Sequence, residues 1–89
     1  MSWIIKIDDL AKKQLKKLDR QSEKKILEYL YQRLAKVINP KQLGKPLTGD
    51  LKGLWRYRVD KFRIICHIKD EKLTVLVLKI GERDKIYDD

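Results

Sequence analysis

Eighty-nine residues suffice for one domain with one modest core, since a chain this short buries only roughly 60–65% of its unfolded surface. Its 43% hydrophobic content argues against disorder, and 22 Lys+Arg against 13 Asp+Glu leave a net charge of +9, a field that attracts polyanions or anionic membranes. The single cysteine, Cys66, excludes an internal disulfide framework. An N-terminus that reaches acid too early for a signal peptide, and a longest apolar run of only Leu73–Leu78, predict a cytoplasmic domain with no membrane partner.

Trp3-Ile4-Ile5-Lys6-Ile7 is β-branched and aromatic and predicts a short strand. Asp8 or Asp9 then suits a helix N-terminus, where a carboxylate meets orphan N–H groups. Leu10, Ala11, Gln14, Leu15 and Leu18 share one side at helical spacing, which predicts a helix over 9–18. After the polar break Asp19-Arg20-Gln21-Ser22, in which Asp19 or Ser22 can cap, Ile26, Leu27, Leu30, Leu34, Val37 and Ile38 repeat at intervals of three and four. The stripe predicts a second helix of about four turns, ended by Asn39-Pro40 because a residue before proline leaves the helical region. Residues 39–54 carry Pro40, Pro46, Gly44, Gly49 and Gly53 and read as an ordered loop. Three strands follow: Trp55 to Asp60, Phe62 to Ile68, and Leu73 to Ile80, with turns at Asp60-Lys61 and Asp70-Glu71. The expected fold is a single α+β domain over 1–89 of order β-α-α-β-β-β, a helical hairpin packed on one face of a mostly antiparallel sheet.

Arginine and lysine are distributed differently. Residues 1–54 hold 11 Lys and 2 Arg, residues 55–89 hold 5 Lys and 4 Arg. A guanidinium forks onto phosphate whereas an ammonium acts as a point charge, so the strand region is the better candidate for a phosphate site. Period two puts Arg56 and Arg58 on one face. If Asp60-Lys61 is a two-residue loop, Val59 opposes Phe62 and Arg58 opposes Arg63, and three arginines converge. Trp55, Tyr57, Val59, Phe62, Ile64, Cys66 and Ile68 take the other face. A loop one residue longer would exchange the faces.

The run Leu54-Trp55-Arg56-Tyr57-Arg58-Val59-Asp60-Lys61-Phe62-Arg63-Ile64-Ile65, then Val77-Leu78-Lys79-Ile80-Gly81-Glu82-Arg83 and Tyr87, resembles the RelE family of bacterial toxin–antitoxin toxins. The loop from Pro40 to Gly53 and the element order extend the likeness over nearly the whole chain, and with it the RelE-like, microbial-ribonuclease-like fold. The resemblance implies a ribosome-dependent endoribonuclease that cuts mRNA in the 30S A site. The expected chemistry is metal-independent attack of a 2′-OH on the adjacent phosphate, with no cofactor. It also implies a cognate RelB-like antitoxin, with operator DNA reached only through that antitoxin. By resemblance the family's basic pair falls on Arg56 and Arg58, its phosphate-binding arginine on Arg63, a later arginine on Arg83 and a stacking tyrosine on Tyr87.

The chain departs from the family in one respect. The first pair is commonly lysine, and here both members are arginine, whose pKa above 12 makes a poor proton acceptor. Arg56, Arg58 and Arg63 are therefore expected to clamp the phosphate, Arg83 to serve the leaving oxygen and Tyr87 to orient the base, with the general base unassigned. Lys12, Lys13, Lys16, Lys17, Lys24 and Lys25 are either the wet side of two helices or a salt-sensitive contact to ribosomal RNA. His67 shares the Arg63 face and reads more readily as a surface histidine than as a catalyst, and Cys66 as a small core residue. No metal-ligand spacing, Gly-rich phosphate loop or Ser-His-Asp set is present. Two other readings stand beside the nuclease: a ParE-like toxin that inhibits DNA gyrase, and an inactive module retaining only antitoxin and operator functions.

Overall fold

The computed structural model describes residues 2–82. Strand β1 (Ile4–Ile7) leads into α1 (Asp9–Lys16) and α2 (Arg20–Glu28). Helix α1 ends two residues before the expected Leu18. Asp19 caps α2, its Oδ2 accepting the Ser22 N–H at 3.1 Å. Asp8 occupies the equivalent position of α1 without a side-chain cap bond.

The second helix differs from the regular four turns expected. After Glu28 the chain widens into a π-type turn over Tyr29–Arg33, then tightens into a 3-10 turn over Leu34–Lys36. Ile26, Leu30 and Leu34 are spaced by four, a repeat that drifts about 40° per step on a 3.6-residue helix. The wide turn takes up that drift, and all three side chains are fully buried. Ile38 leaves the stripe and is 93% exposed. The Trp3 N–H donates to the Ala35 carbonyl and the Trp3 indole N–H to the Ile38 carbonyl, so the residue before β1 rather than further helix satisfies this end.

Residues 39–54 are not a plain loop. Pro40 opens a 3-10 turn over Pro40–Leu43, led by Asn39, whose Oδ1 accepts the Lys41 N–H. A two-residue strand, β2 (Lys45–Pro46), and a second 3-10 turn (Gly49–Leu51) follow. Strands β3 (Trp55–Val59), β4 (Phe62–Lys69) and β5 (Thr74–Glu82) complete a five-stranded sheet of order β1-β5-β4-β3-β2. Only the β1–β5 pairing is parallel. The β4–β5 connection is a 3-10 turn over Asp70–Lys72 closed by Leu73 at φ 46°, longer than a tight hairpin.

The helices cover one face of the sheet. Ala11, Leu15, Ile26, Leu30 and Leu34 pack there with Tyr57, Phe62, Ile64, Cys66, Ile68, Val75, Val77 and Ile80. That layer is the hydrophobic core, and the other face of the sheet carries Arg56, Arg58 and Arg63.

Candidate nucleic-acid interface

The β3–β4 hairpin has the register that period two requires. Val59 pairs with Phe62 and Arg58 with Arg63 across the two-residue turn Asp60–Lys61. Asp60 takes φ 53°, the left-handed region that Asp enters more readily than most residues. Directly opposed residues have Cβ atoms ~5 Å apart, so the Arg58 and Arg63 side chains leave the sheet side by side. Arg56 lies two residues along β3 on the same face, opposite Ile65.

Two further cations join them. Lys45 of β2 pairs with Arg56, and Lys79 of β5 pairs with Ile65, so Lys45, Arg56, Ile65 and Lys79 form one row across the sheet. Lys79 gains its place through a β-bulge. Lys79 opposes Ile65 while Val77 opposes Cys66, leaving Leu78 as the extra residue. The bulge reverses the alternation of β5. Val75 and Val77 face the core before it and Ile80 after it, which turns Lys79 and Gly81 to the arginine face. Helix α1 supports the bulged end, where Gln14 Oε1 accepts the Ile80 N–H at 2.7 Å. Gly81, opposite Arg63, adds no side chain beside the guanidinium.

Arg56 and Arg63 are half-buried with their Nε atoms shielded from solvent, and Arg58 is exposed. A cleft of about 170 Å³ lies between Leu43, Gly44, Lys45, Arg56 and Arg58. A second, of about 150 Å³, is lined by Arg58, Asp60, Lys61, Phe62 and Arg63. The first is set by close packing beneath it. The Tyr57 hydroxyl donates to the Pro40 carbonyl at 2.8 Å, and Gly44 lies flush on the Tyr57 ring. A Cβ at Gly44 would come within 2.8 Å of two ring carbons and 3.0 Å of the Arg56 carbonyl. Burial pushes both the Tyr57 phenol and the Cys66 thiol well above their ordinary ranges. Both sit in the core behind the sheet and supply no reactive group to the arginine face.

Residues 5–87 match the family described as ParE toxin of type II toxin-antitoxin system, parDE. The chain belongs to this RelE/ParE toxin family. Toxin RelG of Mycobacterium tuberculosis is 29% identical over 87 residues, 98% of both chains, and Toxin RelE of the same organism is 30% identical over 83 residues, 93% of this chain and 84% of that one. The toxin–antitoxin complex RelBE2 from M. tuberculosis superposes with TM-score 0.86 at 26% identity over 93% of each chain. The intact E. coli RelBE toxin–antitoxin complex matches at TM-score 0.70 and 19% identity, over 91% of this chain and 96% of that one, a likeness of fold.

Three of the toxin's expected site residues, Arg56, Arg58 and Arg63, thus share one patch. Arg83 and Tyr87 fall outside the described residues. His67 is exposed on the Arg63 face but four residues further along β4, ~13 Å away, and does not join the arginine cluster. Lys12, Lys13, Lys16, Lys17, Lys24 and Lys25 are all exposed on the helical layer, across the sheet from the arginines, and Lys25 pairs with Asp60 at 3.1 Å. Among the described residues no three His, Cys, Asp or Glu side chains gather as metal ligands, and no helix is long and apolar enough to cross a membrane. Lys45 and Lys79 were not legible in the sequence, because their face depends on a two-residue strand and on a bulge.

Proposed function

We propose that this toxin is a ribosome-dependent mRNA endoribonuclease that acts in the 30S A site without a metal and so inhibits translation. The observation that carries the reading is Arg58 placed directly opposite Arg63, with Arg56 beside them. Like charges so close disfavour the free sheet and favour an anion held between them. A phosphodiester under attack is such an anion. As the ribose 2′ oxygen bonds to phosphorus, the pentavalent phosphate gains negative charge, and three preorganised guanidinium groups meet it. The P–O5′ bond then breaks, leaving a 2′,3′-cyclic phosphate and a 5′-OH. Arg83 serves the leaving oxygen and Tyr87 orients the base. The arginines bind and stabilise, the proton of the 2′-OH passes to a base of the ribosome or the substrate, and one proton is returned to the departing O5′, so that the 5′-OH forms. The lysines of α1 and α2 guide the toxin onto ribosomal RNA.

The partner in the resting cell is a cognate RelB-like antitoxin, a proposal supported by the RelBE2 and RelBE complexes the toxin resembles. An acidic or amphipathic segment suits a surface of net charge +9. Operator DNA is reached only through that antitoxin, and the setting is the cytoplasm. The match to the ParE description favours a second reading, a gyrase inhibitor without nuclease chemistry.

Induction followed by mapping of mRNA 5′ ends, with and without translation, separates the two. Cuts within translated codons that vanish when ribosomes are withheld are expected. Arg63→Ala should abolish both the cuts and growth arrest with the fold retained. Intact mRNA alongside DNA-damage signalling would favour the gyrase reading.

A further inference from the structure

We infer that the open sheet face continues past the arginines as a track for single-stranded RNA, with Lys6, His67 and Lys69 holding the strand on the side away from the hairpin turn. The inference rests on the endoribonuclease reading and extends its footprint beyond the reacting phosphate. Register fixes which side chains share this face. The first row across the sheet is Arg58, Arg63 and Gly81, and the second is Lys45, Arg56, Ile65 and Lys79. The third is His67, Leu76 and Lys6, and the fourth is Lys69, Thr74 and Ile4. Every row contributes a cation or an imidazole, and no position in the four rows holds a carboxylate.

From Arg63 to Lys69 the face runs six residues of β4, ~20 Å, enough for several nucleotides of unstacked strand. Its floor is not uniformly polar. Ile65 is covered, but Leu76 is half-buried and Ile4 54% exposed, so apolar surface lies beside Lys6, His67 and Lys69. A single strand uses both features, with phosphates on Lys6, Lys69, Lys79 and the arginines, and bases on the apolar floor and the His67 ring. A duplex turns its phosphates outward and would leave the apolar floor unused. Among the described acids near this face, Asp60 pairs with Lys25, Asp70 with Lys41 and Glu82 with Lys61, while Glu71 lies in the turn beyond Lys69, outside the four rows.

The test is binding of the purified full chain to a short fluorescent single-stranded RNA methylated at every 2′ oxygen, which cannot supply the nucleophile and so reports binding alone. Salt titration measures the number of phosphates neutralised. Lys6→Gln and Lys69→Gln should each reduce the slope of log affinity against log salt by about 0.7. His67→Ala should weaken binding with no change in slope. Lys36→Gln, on the helical side of the molecule, should leave both readouts unchanged. Wild-type slopes in both Lys6→Gln and Lys69→Gln would overturn the track, as would variants that lose affinity for polyglutamate while binding RNA normally, which would assign the face to an acidic protein. Unaltered RNA binding by these variants with codon-specific cuts intact defeats the track alone. Normal RNA binding by the wild type with no cuts defeats the nuclease reading alone.

Discussion

Gly44→Ala tests whether close packing under the cleft sets the positions of the cations above it. Gly44 has φ −118°, ordinary backbone for any residue, so alanine meets no conformational penalty there and stiffens the unfolded chain, a gain of about 0.5 kcal/mol. The cost is steric. The new Cβ lies 2.8 Å from two Tyr57 ring carbons and 3.0 Å from the Arg56 carbonyl. The ring is fully buried and its hydroxyl is tied to the Pro40 carbonyl, so it yields only by stretching that bond or shifting β3. Overpacking of this kind costs ~1–3 kcal/mol. The net loss is about 0.5–2.5 kcal/mol, a fall in Tm of roughly 2–20 °C for a domain of this size. Tyr57→Phe releases the ring from its tether at ~1–2 kcal/mol. In the double variant the losses should fall short of additive by ~0.5–1 kcal/mol, because a freed ring can move aside. Gly53→Ala is the control. Gly53 has φ 96° with open space around it, so its cost of ~1 kcal/mol is conformational and should add simply to that of Tyr57→Phe. Urea unfolding of the single and double variants gives the cycle. A Gly44→Ala protein within 0.5 kcal/mol of wild type, or strict additivity with Tyr57→Phe, would refute the packing argument.

Arg58→Gln should raise the urea midpoint at low salt, by ~0.5 kcal/mol in stability, because it relieves a like-charge pair ~6 Å apart whose Arg58 member is exposed; the gain should vanish at high salt, and a loss of stability would count against the convergence of charge. Alkaline stability should fall as pH rises. The thiol and phenols of Cys66, Tyr57 and Tyr29 are raised by burial above their ordinary 9.0 and 10.0, so the unfolded chain releases protons that the folded chain keeps. With fewer protons bound in the unfolded state, stability declines from about pH 9 at ~1.4 kcal/mol per pH unit and more steeply above pH 10; Cys66→Ala should delay the onset by about one unit in denaturation series. Gln14→Ala removes the acceptor of the Ile80 N–H and should cost ~1–2 kcal/mol, with faster hydrogen exchange at that amide as its local signature.

The hairpin was legible because three independent signals coincide there. Alternation over Trp55–Val59 and Phe62–Ile68 assigns the faces, Asp60-Lys61 supplies the turn, and an even loop length preserves the register. The helical hairpin was legible from its apolar spacing, but the change of helix type after Glu28 was not, since it is set by how Leu30 and Leu34 reach a sheet made of distant residues. Strand β2 was hidden by Pro46, which argues against a strand except at a sheet edge, where this one lies. The bulge was hidden as well. In Thr-Val-Leu-Val-Leu-Lys-Ile-Gly an unbroken period of two would put Ile80 on the face of Leu76. Only the demand that Ile80 be buried opposite Ile64 shifts the phase and delivers Lys79 to the site.

Among the described residues the opposite charges lie outside the four rows of the arginine face. Among the described residues, the ion pairs Lys25–Asp60, Lys41–Asp70 and Lys61–Glu82 around the sheet all use lysine, at 3.1, 2.8 and 3.5 Å. Each is largely exposed and so contributes little stability. Asp60 and Asp70 lie in turns and Glu82 at the end of β5 opposite Phe62, away from the row positions. A carboxylate in the Arg58–Arg63 row would neutralise the pair and compete with any phosphate for its donors. Replacing Gly81 by Asp therefore predicts a sharper outcome than deleting one arginine. Gly81→Asp puts the anion directly opposite Arg63, and should raise stability at low salt while abolishing RNA binding and cleavage. A variant that gained stability and kept full RNA affinity would mean that phosphate is held elsewhere.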